Sequence, residues 1–399
     1  METSASTSRR EHAQSSPLSG VRVLDLSWLL PGPFCTHVLV ELGADVIKVE
    51  RPEGGDYLRD ILPSAYALVN RGKRSIALDL KGTEDRALLD ELLENSDVLV
   101  EGFRPGVAAR LGVDYATLSG RHPRLIYASL SGYGQTGPLA LMPGHDINYL
   151  ARAGALAIPA HWDETPRRSG LPVADLSASL YAVINILAAL RMRDASGRGA
   201  HIDLSITDSV LHWSQVRMAD HDVAGEGWHH VRPGNDVFRT SDGALLALGV
   251  VEEKFWSHLG AACGWDEAAS LAHSFEQAGG ATARLEAGNR LRAGLTAVMA
   301  AHDLAYWQRV LDEHDVPFSP VNGPDEVFME PQFTERGTVS YFTDSATGRR
   351  IGAAAFPGGL YGGSPAHAPA LDEHGTQVRA EMADLKQAQQ LRLSAAIGE

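Results

Sequence analysis

Short β-branched runs alternate with helical segments along the first half of the chain. Residues 83–96 carry apolar positions at helical spacing, and Thr83 is the expected N-cap. Alternation of this kind predicts an α/β fold in which a parallel sheet is joined by crossover helices. We therefore expect an open doubly wound (Rossmann-like) large domain over residues 18–225. Its first strands are predicted at 21–26, 45–50, 75–80, 97–100 and 124–130.

A further helix is predicted from near Asp175 to Leu190. It is apolar nearly all round, which is typical of a helix buried in a core. A strand, "HIDLSI", and a helix from Thr207 to about His221 should follow it.

The pattern changes after a polar loop at 222–236. Residues 236–250 favour a β-hairpin, and amphipathic helices run from there to about 313. We expect a smaller α+β domain over 226–330 and a C-terminal segment, 331–399, that returns to the large domain. The Ser- and Thr-rich residues 1–17 are expected to form a disordered tail.

Composition narrows the classes of partner. The chain has 399 residues, of which 44% are hydrophobic, and its formal net charge is −15. Such a charge opposes non-specific binding to nucleic acid or to anionic membranes, so we expect neither as a partner. The apolar run at 181–190 is too short to span a bilayer. With only Cys35 and Cys263 there is no disulfide framework, which favours a reducing, cytoplasmic location.

Two familiar kinds of site are disfavoured. The glycines of "GYGQTG" at 132–137 have dinucleotide-binding spacing, but Pro138 follows, so the sequence predicts a turn and no helix N-terminus for a pyrophosphate. No zinc motif such as HExxH is present, and we expect no metal.

Cations follow several predicted strands. Arg51, Lys81 and Arg104 come after the second, third and fourth strands, at the carboxyl edge where open parallel sheets bind ligands. Lys73 and Arg110 lie near them in the chain. An acidic protein that gathers cations there is expected to bind phosphates, and scattered solvated charges are the alternative interpretation.

His145 and Asp175 stand 30 residues apart, each at the predicted start of a helix. On their own, an aspartate there is most often a cap and a lone histidine is most often structural. An acid/base pair is the alternative.

Several long stretches, in the same order, resemble the family III CoA-transferase (CaiB/BaiF) superfamily, from about residue 18 to the C-terminus. These stretches are "LSGVRVLDLSWLLPGPFCTHVLVELGADVIKVERPEGGD", "NRGKRSIALDLK", "DVLVEGFRPGVAARLGV", "HPRLIYASLSGYGQTGP", "GHDINYLARAGAL", "PVADLSASLYAVINILAAL", "SGRGAHIDLSITDSVL" and "PALDEHGTQV". The superfamily includes CoA-transferases and α-methylacyl-CoA racemases. The "GHDINY" motif, with an aspartate 30 residues on, is similar to the racemases.

The resemblance implies roles for particular residues. His145 and Asp175 would be the two acid/base groups of a 2-methylacyl-CoA racemase, with Asp146 beside them and Glu252 hydrogen-bonded to the histidine. It also implies an acyl-CoA thioester as substrate, no cofactor beyond its CoA moiety, and an interlocked homodimer. The residues expected to hold CoA are Arg51, Leu78, Lys81, Arg104, Arg110, Lys73 and Tyr149.

Racemisation needs two bases on opposite faces of the α-carbon, one removing a proton and the other returning it. Asp175 must then hold a proton near neutral pH, and free amides at the start of its helix are expected to stabilise the enolate.

CoA transfer is the alternative, with Asp175 as nucleophile and no need for His145. The stretches "DLSASLYA" and "VRPGNDVF" depart from the racemase pattern, and the first is similar to transferases. A non-catalytic acyl-CoA-binding protein is the alternative of another class.

Overall fold

The structure is a computed structural model that describes residues 16–158, 167–224, 231–358 and 367–397. The predicted N-terminal tail therefore lies almost entirely outside the described residues, as does part of the predicted loop at 222–236. Within the described ranges the chain divides into two compact units. The first unit takes in the chain up to Ala155, Ser169–Trp213 and the chain from Pro331 onward, and the second takes in 156–168 and Ser214–Glu330.

A six-stranded, entirely parallel sheet organises the first unit, as the alternating pattern predicts. The strands run in the order β3-β2-β1-β4-β5-β6. The order reverses between β1 and β4, and at such a point the outgoing loops separate and leave a crevice at the carboxyl ends of the strands. The strands are β1 (Arg22–Leu26), β2 (Asp45–Glu50), β3 (Arg74–Ala77), β4 (Val98–Glu101), β5 (Ile126–Ser131) and β6 (His201–Ser205).

Nine helices are interspersed with these strands in the described chain. The fourth begins after Gly82, which is the extended N-cap residue, so Thr83 is its first helical residue and does not cap it as expected. The helices are α1 (Pro31–Glu41), α2 (Leu58–Ile61), α3 (Pro63–Val69), α4 (Thr83–Glu94), α5 (Val107–Arg110), α6 (Tyr115–Ser119), α7 (Asp146–Arg152), α8 (Val173–Ser196) and α9 (Ile206–Ala224).

One face of the sheet is covered by α4 and by the C-terminal part of the chain. Buried leucines and isoleucines of β1, β2 and β3 pack against Leu89 and Leu92 of α4, each fully buried. Val378 and Met382, from α15 (Gly375–Ile397), join the same cluster. Burying one such side chain contributes roughly 1.5–3 kcal/mol. The last helix is therefore part of the core of the first unit.

α8 is only half a core helix. It packs on α1 and on strands β5 and β6, and Ala178, Ala182 and Ile186 are fully or almost fully buried. On its other side a row of large apolar side chains is exposed: Leu180, Ile184, Leu187 and Met192. By length and composition alone, α8 is the one described helix that could cross a membrane, and half of its most apolar window is buried inside the protein. The expectation of a core helix is therefore confirmed for one side of α8 and wrong for the other.

The second unit has its own core and its own small sheet. Strands β7 (Val237–Arg239), β8 (Leu245–Leu248) and β9 (Phe318–Pro320) form an antiparallel sheet, and β7 and β8 are the predicted hairpin. Four helices accompany them: α10 (Glu253–Cys263), α11 (Ala268–Glu276), α12 (Ala281–Met299) and α13 (Leu304–Glu313). In the chain from Pro331 onward, α14 (Pro331–Glu335) precedes a two-stranded antiparallel sheet of β10 (Val339–Thr343) and β11 (Arg350–Ala354).

Candidate active site

The stretch 143–148 ends an extended loop and begins α7. His145 is the N-cap residue, and its backbone N–H donates to Oδ1 of Asn148 at 3.0 Å. This reciprocal cap leaves the side chain of His145 exposed. The sequence alone predicts a structural histidine at this place, and the capping box, in which the His145 side chain faces the backbone N–H of Asn148, is such a role.

Asp146 joins the start of α7 to the start of α8. Its Oδ1 accepts the backbone N–H of Ala174 at 2.7 Å and that of Asp175 at 3.3 Å. Asp175 lies in the first turn of α8, so the structure brings the predicted residues 145, 146 and 175 into one site.

The first backbone amides of α8, which were expected to stabilise an enolate, already have hydrogen-bond acceptors. The N–H of Val173 donates to the carbonyl of Leu171, and that of Leu176 donates to Pro172, so with the two bonds to Asp146 the first amides of α8 all have partners. The expectation of free amides after Asp175 is therefore wrong.

The carboxyl of Asp175 is in an environment that favours its neutral form. Burial, and next the charge of Asp146, raise its pKa from 3.8 to about 7. Among the residues that the structure describes, no donor forms a hydrogen bond with its carboxyl oxygens. The hydroxyl of Ser179 donates to the carbonyls of Asp175 and of Pro31, which fixes this turn of α8 against the start of α1. Asp175 is thus held by its backbone while its carboxyl stays available for chemistry.

The charges of Asp175 and Arg104 both act on Tyr149. Its hydroxyl donates to the carbonyl of Gly144 at 2.6 Å, and its ring meets that of Tyr133 edge-on at 5.4 Å. Burial, and next the charge of Asp175, raise the pKa of Tyr149 to about 12, and Arg104 opposes this rise. Asp175 and Arg104 are therefore both near this one phenol.

Gly132, the first glycine of "GYG", has a packing role. A Cβ added to Gly132 would stand 2.5 Å from the ring of Tyr149, and one added to Gly144 would stand 2.7 Å from it. Both glycines let that ring pack against the backbone, which explains glycine there without a dinucleotide. After β5 the chain forms no helix at 132–138, in agreement with the predicted turn.

Four of the predicted CoA-binding cations have exposed side chains: Arg51, Lys81, Arg104 and Arg110. The first three follow β2, β3 and β4, at the carboxyl edge of the sheet. Arg51 donates from Nε to the carbonyl of Gly55 at 2.9 Å and lies over the ring of Tyr57 at 4.4 Å. This edge of the sheet is therefore a cationic rim that can meet a phosphate.

Lys73 and Leu78 have a different place. The ammonium of Lys73 is fully buried and donates to Asp25 at 3.0 Å, to the carbonyl of Pro33 at 2.9 Å and to Oδ1 of Asn70 at 2.8 Å. Burial lowers its pKa to about 8, against the charge of Asp25. Leu78 is 1% exposed, in the core. The side chains of Lys73 and Leu78 are therefore part of the protein interior, and their geometry does not support contacts with CoA.

A buried lysine that no sequence motif indicates completes this network. Lys48, in the middle of β2, forms ion pairs with Asp56 at 3.0 Å and with Asp25 at 3.9 Å, and donates to the carbonyl of Ser27 at 2.9 Å. Asp56 also accepts the N–H groups of Leu29 and Leu58. The network therefore braces the loops after β1 and β2 at the mouth of the crevice.

The loops after β1, β2 and β4 carry an aromatic group that no sequence pattern predicts. Trp28 meets Tyr57 at 5.4 Å and Phe103 edge-on at 5.5 Å, next to the reversal between β1 and β4. Tyr57 is 40% exposed. The only sequence signal is an aromatic residue soon after the end of β1 and of β4, which has no specificity by itself.

Glu252 belongs to the second unit, where it is the N-cap residue of α10. The proposed bond from Glu252 to His145 stays a prediction. Among the described residues, no group of three or more histidine, cysteine or carboxylate side chains could hold a metal.

These features define a class: an α/β protein with exposed cations at the carboxyl edge of its parallel sheet and an aspartate whose pKa is raised by burial. The family model "CoA-transferase family III" matches residues 18–375, and the chain belongs to that family.

The relatives have names that bear on the reaction. The chain is 34% identical to "Acetyl-CoA:oxalate CoA-transferase" of Acetobacter aceti over 389 residues, which cover 92% of this chain and 96% of that protein. It is 33% identical to "Succinate--glutarate CoA-transferase" of Agrobacterium fabrum, covering 80% of this chain and 84% of that protein. A solved CAIB/BAIF family protein from Brucella suis matches with a TM-score of 0.78 and 30% identity, over 92% of this chain and 99% of the other. These names favour the transferase alternative over the racemase expected from "GHDINY".

Proposed function

We propose that the protein transfers CoA from an acyl-CoA to a carboxylic acid, with Asp175 as the nucleophile. One observation of the site carries the proposal: the carboxyl of Asp175 is largely buried, and the described residues leave it free of hydrogen bonds. The names of the relatives support the reaction class, and those acting on oxalate and glutarate suggest a dicarboxylic acceptor.

The proposed reaction has two halves. An oxygen of the Asp175 carboxylate attacks the thioester carbonyl, the C–S bond breaks, and an acyl-aspartyl anhydride and CoA thiolate form. The thiolate then attacks the aspartyl carbonyl, which releases the first acid and leaves an aspartyl-CoA thioester. The acceptor carboxylate attacks this thioester and expels the thiolate, which then attacks the acceptor's carbonyl. That last step forms the new acyl-CoA and restores Asp175.

The raised pKa of Asp175 suits this chemistry. With a pKa of about 7, half of the carboxyl is ionised at neutral pH. A carboxylate that is poorly solvated and near Asp146 is more basic than an ordinary one, and a more basic carboxylate is the better nucleophile. The same features keep a proton available, so they alone do not select transfer over proton exchange.

Arg51, Lys81, Arg104 and Arg110 are proposed to hold the phosphates of CoA, because they are exposed at the carboxyl edge of the sheet. No cofactor other than the CoA moiety enters the proposed reaction.

We also propose that the protein is a homodimer. In the same unit α9 also exposes large apolar side chains, Leu211 at 49% and Trp213 at 47%, on either side of His212, which pairs with Tyr181 of α8. Apolar surface of this extent favours a protein partner, and a second copy is the proposed one. An interlocked arrangement and a cytoplasmic location stay parts of this proposal, the latter because Cys35 and Cys263 are both free.

Racemisation of a 2-methylacyl-CoA is the second candidate, because the exposed His145 adjoins the residue that contacts the start of α8. The two functions separate in D₂O. A racemase exchanges the α-proton of a 2-methylacyl-CoA without an added acid, and His145→Ala abolishes the exchange. A transferase leaves that proton in place, and His145→Ala spares transfer.

The direct test supplies acetyl-CoA or succinyl-CoA together with oxalate, glutarate or mesaconate and follows the acyl-CoA products by chromatography. The proposal expects a new acyl-CoA with wild type and none with Asp175→Asn. Exchange of the α-proton without any transfer of CoA would refute it.

A further inference from the structure

A cavity near the candidate site is lined by six described residues, and a single cation stands among otherwise uncharged side chains. It measures 430 Å³, within the range of small-ligand sites. Among these described lining residues, one wall is apolar, two side chains can form hydrogen bonds, and only one side chain, an arginine, is charged. The lining residues are Tyr133, Met142, Pro143, Asn148, Ala151 and Arg152.

From this arrangement we infer that Arg152 binds the second carboxylate of a dicarboxylic acid whose first carboxylate reacts at Asp175. The inference rests on the proposed function, and it names the class of acid that the site prefers.

Arg152 is available for such a ligand. Its side chain is exposed, and among the residues that the structure describes it has no ion-pair or hydrogen-bond partner. Other arginines of this unit are engaged, such as Arg193 with Asp97 at 2.9 Å and Arg59 with Glu50 at 2.7 Å. A guanidinium presents two parallel N–H groups, which match the two oxygens of a carboxylate.

The position of Arg152 relates the cavity to Asp175. α7 begins at Asp146, which contacts the backbone of Asp175, and ends at Arg152, about 9 Å further along its axis. Side chains of a helix lean toward its N-terminus, so that of Arg152 leans back toward residue 148. Asn148 lines the same cavity four residues earlier, on the same side of the helix.

The contact between Tyr133 and Tyr149 is a second connection between the cavity and Asp175. Tyr133 lines the cavity, and its ring contacts Tyr149, whose pKa responds to the charge of Asp175. The ring contact between Tyr133 and Tyr149 therefore joins the cavity to a residue on which the charge of Asp175 acts. A chain of a few methylene groups can lie along Met142, Pro143 and Ala151.

A neighbouring cavity is less suited to binding an anion. It measures 320 Å³ and shares Tyr133 and Arg152, but Asp203 and Asp208 also line it. Two carboxylates repel an anion, so a diacid should occupy the side of Arg152 that faces Met142 and Asn148.

The test compares glutarate with valerate, which has the same five carbons and one carboxylate. Acetyl-CoA is the donor, because its acyl group has no second carboxylate. Arg152→Met should raise the KM for glutarate by about 10- to 100-fold and change the KM for valerate by less than about twofold. Arg152→Lys should restore part of the preference, because it keeps the charge and loses the paired donors. Arg309→Met, which removes an exposed arginine of α13 in the second unit, is the matched control and should change neither.

Calorimetric titration of the free protein with the two acids completes the test. Tighter binding of glutarate than of valerate, lost in Arg152→Met, supports the inference even if no CoA is transferred, and in that case the proposed function alone fails. Equal binding of the two acids, or an equal effect of Arg152→Met on both, overturns the inference. If transfer proceeds in that case, the proposed function stands.

Discussion

Replacing Asp146 by asparagine should shift the pH dependence of catalysis toward acid. The substitution removes the charge that helps to raise the pKa of Asp175. It keeps an amide oxygen that can still accept the N–H groups of Ala174 and Asp175, now at 2.7 and 3.3 Å from the aspartate. The start of α8 should therefore stay in place.

The size of the effect follows from the two causes of the raised pKa. Burial is the larger and the charge of Asp146 the smaller, and together they raise the pKa of Asp175 from 3.8 to about 7. The share of Asp146 is then less than half, about 1 to 1.5 pH units. In the variant the pKa of Asp175 should be about 5.5 to 6.

The assay is kcat/KM for the acyl-CoA from pH 5 to 9, at a saturating acceptor, because this constant reports ionisations of the free enzyme. Activity should rise with pH through about 7 in wild type and about one unit lower in Asp146→Asn. Asp194→Asn is the control, since it removes the same charge about 28 Å further along α8. An acid limb that stays near 7 in Asp146→Asn would refute the electrostatic reasoning.

Three more results are expected. Asp175→Asn should stabilise the fold more at pH 8 than at pH 5, by about 2 to 3 kcal/mol in urea denaturation. The sign follows because folding raises the pKa of Asp175, so the wild type loses stability as the pH rises from 3.8 to about 7. An equal effect at both pH values would contradict this. Lys73→Met should lower the free energy of unfolding by about 3 to 5 kcal/mol, since Asp25 stays buried with one cation fewer, whereas a CoA ligand would mainly raise the KM for acyl-CoA. Ile184→Asp, at a side chain that is 59% exposed, should convert a dimer into a folded monomer in sedimentation velocity, and an unchanged dimer would mean that this face lies elsewhere.

The sheet was predictable because its information is local. Five predicted strands and "HIDLSI" form the parallel sheet. β1, β2, β4 and β5 are buried along nearly their whole length, which is why they appear in the sequence as short apolar runs. The carboxyl edge of the sheet could then be located, and with it the cations at positions 51, 81 and 104.

The direction of a side chain was not predictable in the same way. Lys73 and Arg51 both lie near strand ends, yet one donates to three buried acceptors and the other lies over an exposed ring. The difference depends on Asp25, whose position across the sheet no local pattern reveals. The partner of the first amides of α8 is likewise 28 residues away from Ala174, which is why the expectation of free donors failed.

The exposed side of α8 is a third feature that the sequence could not predict. Its sequence is apolar all round, and that pattern does not distinguish a helix buried in its own chain from one with an exposed apolar row. The choice between transfer and racemisation has a similar origin, because "GHDINY" resembles one branch of the superfamily and "DLSASLYA" resembles the other.

Trapping the covalent intermediate tests the central claim most directly. The protein is incubated with acetyl-CoA or succinyl-CoA and hydroxylamine, which converts an activated aspartyl group into a hydroxamate, and the modified residue is located by peptide mass mapping. The account predicts a hydroxamate at Asp175 that requires acyl-CoA and is absent from Asp175→Asn. Turnover of acyl-CoA with no modification of Asp175, or with the modification at another carboxylate, would contradict it.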